Sequence, residues 1–334
     1  MERCVLNLNY CADIDCIDSF IPRDCLVVTI IDAKIAEIYG KYFPTPQIRV
    51  VASENNKSLQ SVESISLQLL EMGVDRSSFL LAVGGGVISD LVGFIGSIYM
   101  RGIKFAYVPT TLLAQVDAAV GGKTAVNLSG FKNILGVVNQ PAFTLICPEF
   151  LNSLPKNEML AGLSEMLKTF IIADRDNYFN FLGEVRSRQL EAKILWPFIK
   201  KCSSIKASIV EQDPFDNGVR KLLNLGHTFA HALEKITQLH HGEAVSIGII
   251  LASKLSVKLS LLQSDEELTI ESDFKDLGLP VASPVKVSSL TDVMLKDKKK
   301  TGGNLDLILI ESIGKAIIYS INVKDLEGLL NDLS

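Results

Sequence analysis

No CxxC pair occurs among the six cysteines, Cys4, Cys11, Cys16, Cys25, Cys147 and Cys202, and the Cys11/Cys16 interval is not a zinc spacing. A thiolate metal site is therefore not expected, and in so large a core neither is a disulfide framework; reduced thiols are the expected state. A basic excess is also missing. Lys and Arg number 33 against 38 Asp and Glu, a net charge of −5, so no face can neutralise a phosphate backbone and no nucleic-acid partner is expected. Nor is there an apolar run fit to span a bilayer: residues 79–100 are interrupted by three glycines and Asp90, and 244–252 is too short. The first ten residues lack a basic segment followed by an apolar core, so no secretory signal, no membrane partner and a cytoplasmic location are expected. No internal repeat or low-complexity segment is visible. What is present is length and hydrophobicity: 334 residues, 48% hydrophobic, enough for two domains with a large core.

The first part of the chain alternates. Residues 4–8, 25–31, 48–52, 79–83, 104–108 and 143–147 read as strands, and 33–42, 58–72 and 87–98 as helices. Unbroken β-branched runs such as 25–31 suit strands buried on both faces. This spacing predicts an α/β domain with a parallel, doubly wound sheet. Beyond Pro148 the pattern turns helical, with apolar 3.6-residue faces over 158–173, 190–201, 203–210, 219–235, 243–261 and 266–277. Residues 305–310 and 315–319 suggest a small strand pair before a last helix. The expected division is 1–152, an α/β unit, and 153–334, a mostly α-helical unit.

Histidine is scarce, and all four residues (His227, His231, His240 and His241) fall within 222–244. His227 and His231 are four apart and share a helix face. A helix-borne histidine, a second from the next helix and a carboxylate from elsewhere would form a catalytic zinc site with an open position. Core or capping histidines are the competing reading.

Gly84-Gly-Gly-Val-Ile-Ser-Asp follows a strand and opens a helix, where bare amides can seat a pyrophosphate. It is not the GxGxxG fingerprint. A tight structural turn is the alternative, and Asp90 either caps the helix or orients the loop against a ligand. Pro109-Thr-Thr-Leu-Leu-Ala-Gln-Val-Asp-Ala-Ala-Val-Gly-Gly-Lys-Thr-Ala-Val-Asn, followed by Gly130-Phe-Lys-Asn, describes a polar ligand site. Gly-Gly-Lys-Thr is not a P-loop, because the first glycine of that motif would fall on Asp117 and no strand directly precedes it.

Together these motifs resemble the 3-dehydroquinate synthases, sugar-phosphate cyclases of the shikimate pathway, from about residue 32 to 315. The resemblance implies an N-terminal dinucleotide-binding domain with a parallel sheet and a mostly α-helical C-terminal metal-binding domain. It implies metal ligands Glu165 (in Gly162-Leu-Ser-Glu-Met-Leu-Lys), His227 and His241, so that His231 lies beside the substrate instead of on the metal. For NAD it implies Asp32, Glu54, Lys57, Gly85, Gly86, Asp90, Thr110, Thr111, Leu113 and Lys132. Substrate and catalytic groups would be Asp117, Lys123, Asn133, Lys168, Lys206, Arg220 and Asn224. Arg101 is expected to reach a neighbouring subunit's site in a homodimer. Asp297-Lys-Lys-Lys resembles the family's D-K-K loop and leaves both Lys298 and Lys299 open as substrate contacts. Lys34 departs from the small polar residue of many members, which touches the adenosine end.

The implied reaction takes 3-deoxy-arabino-heptulosonate 7-phosphate to 3-dehydroquinate and phosphate. It passes through transient oxidation of a ring hydroxyl with NAD, loss of phosphate, re-reduction and intramolecular aldol closure. Zinc suits a Glu/His2 set and cobalt would fit it equally. Lys123, Asn133, His231 and the lysine-rich loop would hold the phosphate, and Arg220 and Lys206 the carboxylate. A metal-dependent polyol or glycerol dehydrogenase would not need so many anion-binding cations. A sister sugar-phosphate cyclase would differ around the carboxylate, where Arg220 and Asn224 stand.

Overall fold

The computed structural model describes residues 6–186, 190–298, 303–330 and 333. It divides into two compact units, residues 1–155 with 191–215, and residues 156–190 with 216–334.

The first unit begins with β1 (Leu8–Tyr10), a 3-10 turn Ile14–Phe20, β2 (Val27–Asp32), α1 (Ala33–Tyr39), β3 (Gln47–Val50) and α2 (Leu59–Glu71). It continues with β4 (Phe79–Gly84), α3 (Gly86–Ile98), β5 (Lys104–Pro109), the antiparallel pair β6 (Lys123–Leu128) and β7 (Phe131–Val138), and β8 (Thr144–Ile146). Six strands form a parallel sheet in the order β1-β8-β5-β4-β2-β3. Alternate residues of the central strands point to opposite faces. Ile30, Leu80, Ala82 and Tyr107 pack with Ile65 and Leu69 of α2 and Leu91 and Ile95 of α3. Ile31, Leu81, Val83 and Val108 pack with Ala36 of α1 and Ile14 and Ile17 of the N-terminal turn. Each such buried aliphatic side chain contributes about 1.5–3 kcal/mol. The chain leaves β2 toward β3 on one side and reaches β4 on the other. The strand order therefore reverses between β2 and β4, and a doubly wound sheet binds ligands at the carboxyl ends there.

Three local differences from the sequence expectation stand out in this unit. The β6–β7 pair was not foreseen. Residues 114–118 form a π-helical turn between β5 and β6. Cys11 and Cys16 are brought side by side, with Cα atoms 6.2 Å apart, a proximity the sequence reading did not include. Cys16 lies inside the 3-10 turn Ile14–Phe20, which begins shortly after Cys11. Cys11 and Cys147 are buried in one apolar cluster, and Cys16 and Cys25 pack against it. Packing beneath the sheet thus accounts for cysteine crowding in the described N-terminal residues.

The second unit holds α4 (Lys156–Ala173) and α5 (Arg175–Arg186); α6 (Ala192–Gln212) belongs to the first unit. There follow a 3-10 turn Val219–Asn224, α7 (His227–Ile236), α8 (His241–Lys258), α9 (Ser264–Asp276), α10 (Val287–Lys298), β9 (Asn304–Ser312), β10 (Lys315–Asn322) and α11 (Val323–Leu330). Helices α4 and α8 are central and mostly buried. The helix expected over 219–235 is broken at Gly226, whose φ of +77° is glycine territory. The two helices expected over 190–210 are one, α6, with Pro197 inside it. β9 and β10 form the expected antiparallel pair. Among the described residues no helix is long and apolar enough to cross a membrane.

Candidate active site

In the first unit, the glycine turn lies at the end of β4 and opens α3, with Gly85 as its N-cap. A Cβ at Gly85 would stand 3.0 Å from Thr111, and one at Gly86 3.1 Å from Ala118. Bare backbone is what this close packing admits. Asp32 ends β2 and caps α1, accepting a hydrogen bond from Lys34 N (3.1 Å). Thr110 is buried, and its Oγ1 has no hydrogen-bond partner among the described residues. Thr111 Oγ1 accepts from Ala114 N (3.1 Å), one residue past the half-buried Leu113. Amides at a helix start and an unsatisfied hydroxyl suit a dinucleotide phosphate.

Beside this turn runs a polar chain. Lys57 is buried, is ion-paired with Asp90, and donates to Asn133 Oδ1 (2.5 Å). Asn133, at φ +56°, donates its amide to Asn127 Oδ1 (2.9 Å), and Asn127 Nδ2 donates to Glu54 Oε1 (2.8 Å). Burial pushes the Asp90 carboxyl up, and the Lys57 ammonium opposes this. Asn127 was given no role in the sequence; it sits at an irregularity of the β6–β7 pair, and its N–H donates to Lys57 O (2.8 Å), which brings it into the chain. Glu54, Asn127 and Lys132 line a cavity of about 710 Å³. Elsewhere in the unit, Lys206 Nζ donates to Asp117 O (2.6 Å) and Oδ1 (2.7 Å). Lys123 opens β6 and is exposed, and Arg101 is exposed on a turn where Met100 and Arg101 both have positive φ.

In the second unit, Glu165 of α4 is 0% exposed. His227 opens α7 and His241 opens α8; their Nε2 atoms lie 3.4 and 3.5 Å from Glu165 Oε1. One ligand atom from each of the three falls within 4.8 Å of the others. The far nitrogens are also placed. His227 Nδ1 is 3.2 Å from Leu225 O, and His241 Nδ1 is 3.4 Å from Glu234 Oε1. Glu165 Oε1 is buried with no hydrogen-bond partner among the described residues, and a buried carboxylate oxygen left so is costly unless a cation completes it. Two imidazoles and a carboxylate fit a divalent metal with an open position. Lys168, 1% exposed, is ion-paired with Glu165 one turn away. His231 is not one of the three clustered ligand residues; its ring lies edge-on to that of His227, 5.7 Å away. Asn224, His227 and His231 line a cavity of about 330 Å³ with Lys221 and Asp306, which are ion-paired at 3.2 Å. Arg220 is 3% exposed. Lys298 ends α10; its side chain, and all of Lys299, lie outside the described residues.

Burial alone would raise the Glu165 carboxyl; Lys168 and the two imidazoles overcome it and hold the group well below the usual carboxylate range. Burial, then Lys168, pushes His227 down to about 3. For His241 burial works downward, yet Glu165 and Glu234 raise it to about 9. Below that value His241 carries a proton where a metal must bind. Metal uptake at pH 7.5 should therefore release about one proton, and affinity should rise roughly tenfold per pH unit before levelling near 9. Chelator competition at pH 6.5 and 8.0 checks this; a pH-independent affinity would contradict it.

A parallel α/β unit with a bare phosphate-type turn and a helical unit with a Glu/His2 cluster define a dinucleotide- and metal-dependent enzyme of the dehydrogenase and cyclase class. Comparison narrows this. The family model described as 3-dehydroquinate synthase N-terminal matches residues 47–161, and that described as 3-dehydroquinate synthase C-terminal matches 162–300. The 3-dehydroquinate synthase of Thermodesulfovibrio yellowstonii is 40% identical over 316 residues, covering 90% of this chain and 88% of that protein. That of Shewanella denitrificans is 44% identical over 273 residues, 80% and 76% of the two chains. The chain belongs to the 3-dehydroquinate synthase family. Among solved structures, 2-epi-5-epi-valiolone synthase from Streptomyces hygroscopicus, with NAD+ and Zn2+ bound, superposes with a TM-score of 0.90 at 26% identity over 100% of this chain and 98% of that one. A 2-deoxy-scyllo-inosose synthase complexed with carbaglucose-6-phosphate, NAD+ and Co2+ gives 0.85 at 25% identity over 98% and 96%. A probable glycerol dehydrogenase from Sinorhizobium meliloti, at 0.65 and 14% identity over 98% and 96%, shares the fold alone.

Proposed function

We propose that the protein converts 3-deoxy-arabino-heptulosonate 7-phosphate to 3-dehydroquinate and phosphate, with NAD returned unchanged at each turnover. The observation that carries this reading is the convergence of Glu165, His227 and His241 beside a cavity shared with Asn224 and His231. These three side chains would hold Zn2+ or Co2+. When bound, the metal supplies Lewis-acid polarisation of a substrate oxygen. The first unit would hold NAD through Gly85, Gly86, Thr110, Thr111, Asp32, Glu54 and Lys132, with Lys57 and Asp90 bracing the turn. NAD supplies a reversible hydride acceptor.

The remaining side chains handle charge. Arg220, buried and planar, suits a carboxylate through two parallel hydrogen bonds. His231 can hold a phosphate oxygen through a ring N–H, leaving the departing phosphate to take the substrate proton itself. Lys123, Asn133 and Lys206 would supply further donors, with Asp117 accepting from the Lys206 ammonium. The β6–β7 hairpin presents Phe131 (68% exposed), Ile134, Val137 and Val138, an apolar surface suited to a second copy in a homodimer. Arg101, held outward by its positive-φ turn, would serve the partner's site. Metabolism of this kind is expected in the cytoplasm.

Phosphate release measured with the heptulosonate phosphate and with glucose 6-phosphate, which lacks the carboxylate, tests the assignment. Release from the first only is expected. Arg220→Ala should raise KM for it about 10–150-fold, the value of a charge-assisted pair of about 1.5–3 kcal/mol, without changing NAD affinity. Equal turnover of both sugars would favour a sister cyclase.

A further inference from the structure

We infer that Glu234 is a positioning residue for the metal, fixing the ring of His241 from behind; this deepens the metal-site reading above and rests on it. Helix α7 carries His227, His231 and Glu234 at spacings of four and three, so all three share one face. The first meets Glu165 and the second lines the cavity. The third turns toward the start of α8. Its side chain is 12% exposed and its Oε1 lies 3.4 Å from His241 Nδ1, while Nε2 of the same ring lies 3.5 Å from Glu165 Oε1. The imidazole is thus gripped at both nitrogens, with Nε2 directed to the metal position and Nδ1 directed to a carboxylate.

The two ligand histidines need this grip to different degrees. His227 Nδ1 faces a backbone carbonyl, Leu225 O at 3.2 Å, and no side-chain substitution deletes that acceptor. His241 is the first residue of α8, set by the His240 N–H donating to Glu243 Oε2 (3.0 Å). That contact fixes the backbone and leaves the ring free to rotate about its own bonds. Glu234 removes that freedom. With Nδ1 held by this carboxylate, the ring presents Nε2 toward Glu165, and the negative charge makes the ring a stronger donor to a cation. It also adds one negative charge to a cluster in which Lys168 already offsets Glu165.

The test is metal affinity of the full chain, by competition of Zn2+ with a chromophoric chelator. Wild type, Glu234→Gln, Glu234→Ala and Glu165→Gln are compared, with the thermal midpoint of each metal-free protein. Glu234→Ala should weaken binding about 10–100-fold, with the metal-free midpoint falling slightly as the pair to His241 is lost. Glu234→Gln keeps an acceptor oxygen and should lose several-fold. The visible spectrum of the Co2+-loaded protein should shift in Glu234→Ala. A lowered midpoint with affinity within twofold of wild type would overturn the proposal, as would Glu234→Gln within twofold if the alanine variant does not fold. Should wild type and Glu165→Gln bind equally, the metal-site reading itself fails, separately from Glu234.

Discussion

Glu165→Gln will bind no divalent metal at micromolar concentrations, and phosphate release will fall at least about 1,000-fold. The substitution keeps the shape of the side chain and removes its charge. Three physical consequences follow at once. The two imidazole Nε2 atoms, 3.4 and 3.5 Å from Oε1, lose the anion that completes the ligand set. Lewis-acid stabilisation worth several kcal/mol goes with it, and about 4 kcal/mol is three decades in rate. Lys168, 1% exposed, keeps a buried charge without its partner. Breaking a buried pair costs about 3–5 kcal/mol, so the metal-free variant should also unfold at lower denaturant. The linkage has a definite sign. Glu165 is held below its ordinary range in the folded chain, so its contribution is present above the unfolded carboxylate value and fades as pH falls through the lower folded one. The stability gap between wild type and variant should therefore narrow in acid. Metal content and phosphate release are read on the same samples; a variant that retains one metal per chain would refute the assignment.

Gly242→Ala will destabilise the protein by about 2 kcal/mol or more and loosen the metal. Gly242 follows His241 in the first turn of α8, and a Cβ there would run into Ala161 Cα of α4. The obstructing atom is backbone, so no side-chain rotation relieves it. Overpacking of this kind costs about 1–3 kcal/mol, occasionally more, against at most about 1 kcal/mol gained by replacing a helical glycine. The clash wins. Separating α8 from α4 also separates His241 from Glu165, so affinity for metal should fall with stability. Gly183 in α5 is the internal control, since among the described residues nothing lies within 4 Å of its Cβ position. Gly183→Ala should be neutral or stabilising by about 0.5–1 kcal/mol. Urea midpoints of the two variants decide the matter, and equal midpoints would contradict the packing argument.

The two glycine positions illustrate what a single sequence shows and what it hides. The parallel sheet was legible because β2, β4 and β5 are unbroken apolar runs, and burial on both faces leaves that signature. The β6–β7 hairpin was not. Its second strand exposes Phe131, Ile134, Val137 and Val138, so no alternation of apolar and polar residues marks it. The break at Gly226 was hidden because the apolar period of Leu222, Leu223, Leu225 and Phe229 runs straight across it. The polar stretch Lys200-Lys-Cys-Ser-Ser made α6 look like two helices.

The site divides in the same way. Histidine scarcity made the 222–244 window conspicuous, but residue chemistry left His231 and His241 as rival companions for His227. Family resemblance named Glu165 and His241; the packing of α4, α7 and α8 places those two around His227. Glu234 was overlooked because Glu234-Lys235 reads as a solvated helix face. Only the meeting of α7 with the start of α8 gives it a role. Asn127 escaped for the same reason, since Glu54 reaches it from the segment before α2 and Asn133 from β7, two stretches far apart from each other in sequence.

The central claim is that NAD is cycled at a metal-dependent, phosphate-eliminating site. It is tested most directly by following phosphate release and NADH absorbance in one cuvette, with the heptulosonate phosphate in excess, NAD near the protein concentration, and Zn2+ or a chelator added. The account predicts many phosphates released per NAD, no accumulating NADH, and arrest on metal removal. Steady NADH formation without phosphate release, or full turnover in chelator-stripped protein, would contradict it.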